Sequence, residues 1–160
     1  MRRIPMDWDA LRREQSGKCF ICEFQAGTPG FEHEKLHEDA DSIAFLSKYP
    51  SVYGHTLVAP KQHREAVTAD FQLDEYVHLQ QVVFRVAEAL RIEVPTERIY
   101  ILSLGSQQGN RHVHWHVAPL PPGVPYPEQQ FRALDRSDIL DLSTQELRAI
   151  ADRLRTRLSG

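Results

Sequence analysis

The run His112-Val113-His114-Trp115-His116-Val117-Ala118 puts a histidine at every second position. Side chains of an extended strand alternate between faces, so residues two apart share one. As a strand, the run sets His112, His114 and His116 on one face, packs Val113, Trp115 and Val117 on the other, and ends at Pro119. Three of the chain's eight histidines on one strand face are a poor arrangement for stability alone. Charged imidazoles repel, and neutral ones each need hydrogen-bond partners. The plain alternative is a partly exposed polar strand. Two site chemistries fit better: metal binding by neutral imidazoles, or nucleophilic catalysis by one histidine that its neighbours hold and polarise.

The rest of the chain reads as a mixture of strands and helices. Asp7 to Gln15 is expected to be a short helix capped by Asp7 and stopped by Gly17. Cys19-Phe20-Ile21-Cys22 spaces two sulfurs so that both reach one ion. Plain burial of the two cysteines is the other reading. After the turn Gly27-Thr28-Pro29-Gly30, strands over Lys35–Glu38 and Ser42–Ser47 flank the polar turn Asp39–Asp41 as a hairpin. His33 and His37 sit among charges, which predicts solvated side chains. His55 to Pro60 is a further strand, with His55, Leu57 and Ala59 on one face. Leu73 to Arg91 carries Tyr76, Leu79, Val83, Val86 and Leu90 as one helical stripe, widened by Val82 and Phe84, with His78 on the helix surface. Arg98 to Leu104 is a buried strand, joined to the histidine run by the loop 105–110. Five prolines between Pro119 and Pro127 make an extended crossing. Glu128 to Asp135 is expected to be a short helix. The capping box Ser143-Thr144-Gln145-Glu146 opens a last helix with Leu147, Ile150, Leu154 and Leu158 on one face. This order predicts an α+β fold: a mainly antiparallel sheet, one long helix and a C-terminal helix.

A length of 160 residues fits one domain over 1–160, with a core near 19–120. The net charge of −3 and the pI near 6.2 leave no basic patch for a nucleic-acid backbone. Small polyanions still fit, because a site can be locally positive on an acidic protein. No apolar stretch reaches the roughly 20 residues that span a bilayer. The N-terminal residues lack the apolar core of a signal peptide. The expected location is therefore cytoplasmic, where the two cysteines stay reduced.

The histidine run resembles the His-φ-His-φ-His-φ-φ signature of the histidine triad (HIT) family, φ being apolar. Gly54-His55 through Pro60-Lys61-Gln62-His63 is similar to a second block of that family. The resemblance covers Cys19 to Pro119. It implies the HIT α+β fold, usually a homodimer. It also implies cleavage of phosphoramidate or phosphoanhydride bonds at the α-phosphate of adenylated nucleotides, through a nucleotidyl-histidine intermediate. By this resemblance His114 is the nucleophile, and His116 and His55 contact the phosphate. Ser106, Gln107, Gln108 and Asn110 lie where the family's phosphate-binding loop sits. Cys19, Cys22, His63 and His112 match the zinc ligands of the family's Cys-x-x-Cys branch, a closed four-ligand site that is structural. No catalytic metal is required.

The chain departs from the pattern in one place. Many relatives carry Ser or Thr three residues before the first triad histidine; here that residue is Gly109, in a loop about two residues short. The choice between phosphoramidase and dinucleoside polyphosphate hydrolase therefore stays open. A purine-nucleotide-binding regulatory module without turnover is the alternative from another class. A third alternative makes all three triad histidines ligands of one catalytic metal. Same-face neighbours on a strand stand about 6.5–7 Å apart, so one ligand from this strand is easier than three.

Overall fold

In the computed structural model, which describes residues 1–160, the first hairpin forms around a short acidic turn that precedes the apolar run Ile43–Leu46. Asp39 Oδ1 accepts hydrogen bonds from the N–H groups of Asp41 (2.9 Å) and Ser42 (2.7 Å) and from Ser42 Oγ (2.9 Å), which closes the turn locally. Strands β2 (Lys35–Glu38) and β3 (Ser42–Leu46) leave it antiparallel. With β4 (Thr56–Pro60), β5 (Arg98–Ser103) and β6 (Trp115–Leu120) they build a five-stranded sheet of order β2-β3-β4-β6-β5, antiparallel throughout. The fold is α+β, as expected.

Both faces of this sheet are covered, so every residue of β3, β4 and β6 is buried. One face packs on helices α3 (Leu73–Glu93) and α4 (Thr144–Ser159). Ala44, Val58, Val113, Trp115 and Val117 meet Val83, Val86, Leu90, Ile150 and Leu154 there. The other face is closed by helix α2 (Phe20–Ala26), whose Ile21 packs with Ile43, Phe45, Leu57 and Ala59. The triad alternation holds: the valines and tryptophan go to the α3–α4 side and the histidines to the opposite side.

The α3 stripe is buried from Leu79 to Leu90, including Val82, but Phe84 is 65% exposed. It lies past the edge of the stripe, one heptad from Val77, which is 46% exposed. The helix runs on to Glu93, whose carboxylate Arg157 of α4 holds at 2.7 Å. Helix α4 opens with the expected capping box, and Ile150, Leu154 and Leu158 are buried. Each buried side chain of that size contributes about 1.5–3 kcal/mol.

Several elements differ from the sequence reading. Residues 112–114 are irregular, and the strand begins at Trp115 and runs through Pro119 to Leu120. The cause is β4: its pairing with β6 starts at Val58↔Trp115 and ends at Thr56↔Val117. Before that, Val113 N–H donates instead to the Arg64 carbonyl at 2.7 Å. Beyond Val117 only β5 flanks the strand, so it tolerates a proline. The expected helix over 128–135 is two 3₁₀ turns, Tyr126–Glu128 and Arg132–Leu134. They are separated by Gln130 in the left-handed region at φ 58°, and a left-handed residue cannot continue a right-handed helix. Helix α1 (Trp8–Glu14) is capped by Asp7 as expected. Two short strands escape periodicity altogether: β1 (Arg3–Pro5) and β7 (Asp138–Leu140) pair as a separate ribbon. No helix is long and apolar enough to cross a membrane.

Gly54 precedes β4 with φ +82°, and an added Cβ would come within 3.1 Å of Leu90 and 3.2 Å of Val94. Only glycine lets the turn before His55 approach α3 so closely.

Candidate functional site

The three triad side chains separate into two clusters. His112 turns toward α2, where Cys19 forms the N-cap. Its Nδ1 lies 3.3 Å from Cys19 Sγ and 3.6 Å from Cys22 Sγ, and His63 Nδ1 lies 3.4 Å from Cys22 Sγ. One donor atom from each of the four residues falls within 4.8 Å of every other. Four ligands around a tetrahedral zinc would place sulfur and nitrogen about 3.5 Å apart, so the donor set fits such an ion. The tautomers fit too. His112 Nε2–H donates to the Pro60 carbonyl at 2.9 Å, and His63 Nε2–H faces Glu65 Oε1 at 3.0 Å. Both bonds leave the Nδ1 lone pair directed at the sulfurs, as outer partners of ligating histidines do. Without a cation, burial and then the adjacent Cys19 push the Cys22 thiol up to about 11; a bound cation reverses that preference.

His55, His114 and His116 form the second cluster, buried on the same side of the sheet. His114 Nδ1–H donates to the carbonyl of His112 at 2.8 Å. This fixes its tautomer and leaves the Nε2 lone pair of a buried ring without a protein hydrogen-bond partner. Phe20 packs edge-on against the ring at 5.6 Å, and Ser103 Oγ donates to the His114 carbonyl at 2.8 Å. His55 Nε2 lies 3.0 Å from His116 Nδ1, and Ser51 Oγ lies 3.2 Å from His55 Nδ1. If the Ser51 hydroxyl donates, His55 passes its Nε2–H to His116, and His116 is left with Nε2–H as a free donor.

Burial, then the neighbouring Arg136 charge and His114, pushes His55 down to about 3. Burial, then His114, His55 and Arg136, takes His116 to about 2. Burial holds His114 below the usual histidine range as well, and Arg136 adds to this. All three are neutral imidazoles at pH 7. The cluster can therefore offer one free nucleophilic nitrogen and hydrogen-bond donors in a partly water-excluded setting.

Of the residues singled out in sequence, His55, His114 and His116 come together, as do Cys19, Cys22, His63 and His112. Ser106, Gln107, Gln108 and Asn110 do not join them. They lie in an exposed turn closed by Ser106 and Gly109, Ser106 Oγ bonds Gln108, and none hydrogen-bonds a triad histidine. A single metal held by all three triad histidines is excluded by this geometry, because each ring is committed differently. His33 and His37 are not solvated. His33 packs 4.9 Å from Phe45 and 5.1 Å from Phe24, and burial lowers it to about 4. His37 is half-buried near Asp39. His78 lies on the helix surface, as expected, and meets Asp39. Ser51, Ser103, Phe20 and Arg136 escaped the sequence reading, since no local pattern marks them.

A family model described as the HIT domain matches residues 30–122. The adenosine 5'-monophosphoramidase of Schizosaccharomyces pombe is 27% identical over 129 residues, 72% of this chain and 92% of that protein. A hypothetical histidine triad nucleotide-binding protein from Sulfolobus tokodaii strain 7 superposes with a TM-score of 0.70 at 23% identity, covering 88% of this chain and 92% of that one. A Zn-bound histidine triad family protein from Mycobacterium smegmatis does so with a TM-score of 0.66 at 24% identity, covering 89% and 94%.

Proposed function

The chain belongs to the histidine triad (HIT) family, and on that premise we propose that it is a nucleotide hydrolase or transferase acting at the α-phosphate of adenylated substrates. The carrying observation is the 2.8 Å bond from His114 Nδ1–H to the His112 carbonyl, which leaves Nε2 as the attacking atom. In the first step the Nε2 lone pair forms a P–N bond to the α-phosphorus. The P–N or P–O bond to the leaving group breaks, and the leaving group takes its electron pair and, where it is an amine, a proton from solvent. In the second step a water oxygen attacks phosphorus, the P–N bond to His114 breaks, and the water's proton is lost to solvent. Two easier displacements replace one difficult one. His116 Nε2–H and the His55 ring behind it stabilise the phosphoryl oxygens. By their place in the family pattern, Ser106, Gln107, Gln108 and Asn110 serve as the phosphate-side loop. The name of the S. pombe relative supports phosphoramidate chemistry.

Cys19, Cys22, His63 and His112 hold one structural zinc ion in this reading, supported by the convergence of their donor atoms and by the Zn-bound structural neighbour. Zinc there clamps α2 to the segment before β6 and takes no part in the transfer. The chain works as one domain in the cytoplasm, where its two cysteines, not joined in a disulfide, stay reduced and able to hold the ion.

A panel of adenosine phosphoramidate, diadenosine polyphosphates and adenylated lysine tests the activity. Release of AMP from at least one substrate is expected. Tight nucleotide binding with no turnover of any of them would replace the enzyme by the regulatory binding module.

We also infer a homodimer. Val77 (46% exposed) and Phe84 (65%) on α3, Ile101 (48%) on the edge strand β5 and Leu104 (53%) just after it are large apolar residues left uncovered, and an unpaired edge strand invites a partner. Sedimentation should give twice the 18.4 kDa chain mass, and Phe84→Glu should return it to one. A wild-type monomer at micromolar concentration would contradict this.

A further inference from the structure

Arg136 lies outside the residues matched by the family domain, in the segment leading into β7. Its guanidinium carbon sits 3.6 Å from the centroid of the Trp8 ring. Trp8 is held in turn by its indole N–H, which donates to the Arg136 carbonyl, and by an edge contact with Tyr49 at 5.5 Å. The side chain is therefore stacked in place before any ligand arrives.

The ribbon that carries it is seated beside the histidine cluster. Leu140 N–H donates to the Pro50 carbonyl at 2.8 Å, and Arg3 donates to the Ser51 carbonyl at 2.9 Å. Ser51 is also the residue whose hydroxyl meets His55. Behind burial, the Arg136 charge adds to the lowering of His55, His114 and His116.

Arg136 has no anionic partner in the protein. Burial lowers its pKa. The carboxylates nearest in sequence are taken: Asp135 pairs with Arg132 at 2.7 Å and Asp138 with Arg3 at 2.8 Å. A half-buried guanidinium whose planar fork has no protein acceptor is available to an anionic ligand. The clustered imidazoles are neutral, so they donate hydrogen bonds but supply no formal charge. A substrate with one phosphate needs little more. A substrate whose leaving group carries further phosphates brings several negative charges, and Arg136 is a cation on the ribbon seated beside the cluster.

We propose that Arg136, stacked on Trp8, is a specificity-determining residue that binds a phosphate of the leaving group and so favours dinucleoside polyphosphates over phosphoramidates. This rests on the nucleotide-transfer reading above and names its substrate class. Guanidinium and phosphate match as a two-pronged, charge-assisted pair.

The test uses the full-length protein with Arg136→Gln and Arg136→Lys. Arg136→Gln should lower the ratio of kcat/KM for diadenosine triphosphate over adenosine phosphoramidate about 10–100-fold, the effect expected of a lost charged hydrogen bond. Arg136→Lys keeps the charge but not the fork or the stacking, and should restore only part of the ratio. Equilibrium binding of ADP and AMP is measured in parallel. Wild-type protein should prefer ADP, and Arg136→Gln should lose that preference. An unchanged substrate ratio, or an unchanged ADP preference, overturns the proposal. If no substrate is turned over by the wild type, the transfer reading fails by itself, and the ADP-to-AMP comparison alone decides whether Arg136 binds the additional phosphate.

Discussion

Replacing His114 by alanine should remove turnover almost completely, by about 10³-fold or more, as loss of a nucleophile does elsewhere. Nucleotide affinity should change by less than about tenfold, roughly 1.4 kcal/mol, because the proposed phosphate contacts of His116 and His55 are kept. The wild type mixed with a labelled adenylated substrate should carry one label per site on the peptide containing His114. Phosphohistidine P–N bonds resist base and break in acid, so the quench must be alkaline. The variant should carry none. Wild-type turnover in His114→Ala would remove His114 as the nucleophile. The pH profile belongs to the same result. Burial, and then the Arg136 charge, hold His114 below the usual histidine range. A base whose pKa is lowered stays neutral further into acid. The kcat/KM should therefore remain flat as pH falls through about 6.5 and decline only below it. An apparent pKa at or above that value would place the essential base elsewhere.

Chelation of zinc, or Cys19→Ser, should cost the protein much of its stability. Saturating a native-state site at a thousand times its Kd contributes about 4 kcal/mol. At about 2–4 °C per kcal/mol for a chain of this size, the melting temperature should fall roughly 8–16 °C. Metal analysis should find one zinc per chain. The active site should be affected less than the fold, though not spared. His112 presents its ring to Cys19 and Cys22 while its carbonyl accepts the hydrogen bond from His114 Nδ1–H, and Phe20, next to Cys19, packs on the His114 ring. A metal-free protein with an unchanged melting temperature would rule out a structural ion.

Elements whose signal lies within a few neighbouring residues were legible in the sequence. The alternation of the triad run determined its two faces even where the backbone is not a regular strand. The stripe from Leu79 to Leu90 and the Ser143–Glu146 capping box determined α3 and α4, because side-chain period and end chemistry are local properties. The four-residue Cys–His set was legible only through resemblance, since its members stand up to 93 residues apart. Tertiary structure decided the rest. Whether His112 or His114 is free to attack depends on which ring nitrogen finds a carbonyl, and that follows from where β4 stops pairing. The His55–His116 contact bridges 61 residues, and the Trp8–Arg136 contact bridges 128. Such contacts arise when sheet register and ribbon docking bring distant segments together. β1 and β7 are three residues each, too short to show a period, and they are stable only as partners. Periodicity assigns a residue to a face, but only the packed chain determines which residue it meets there.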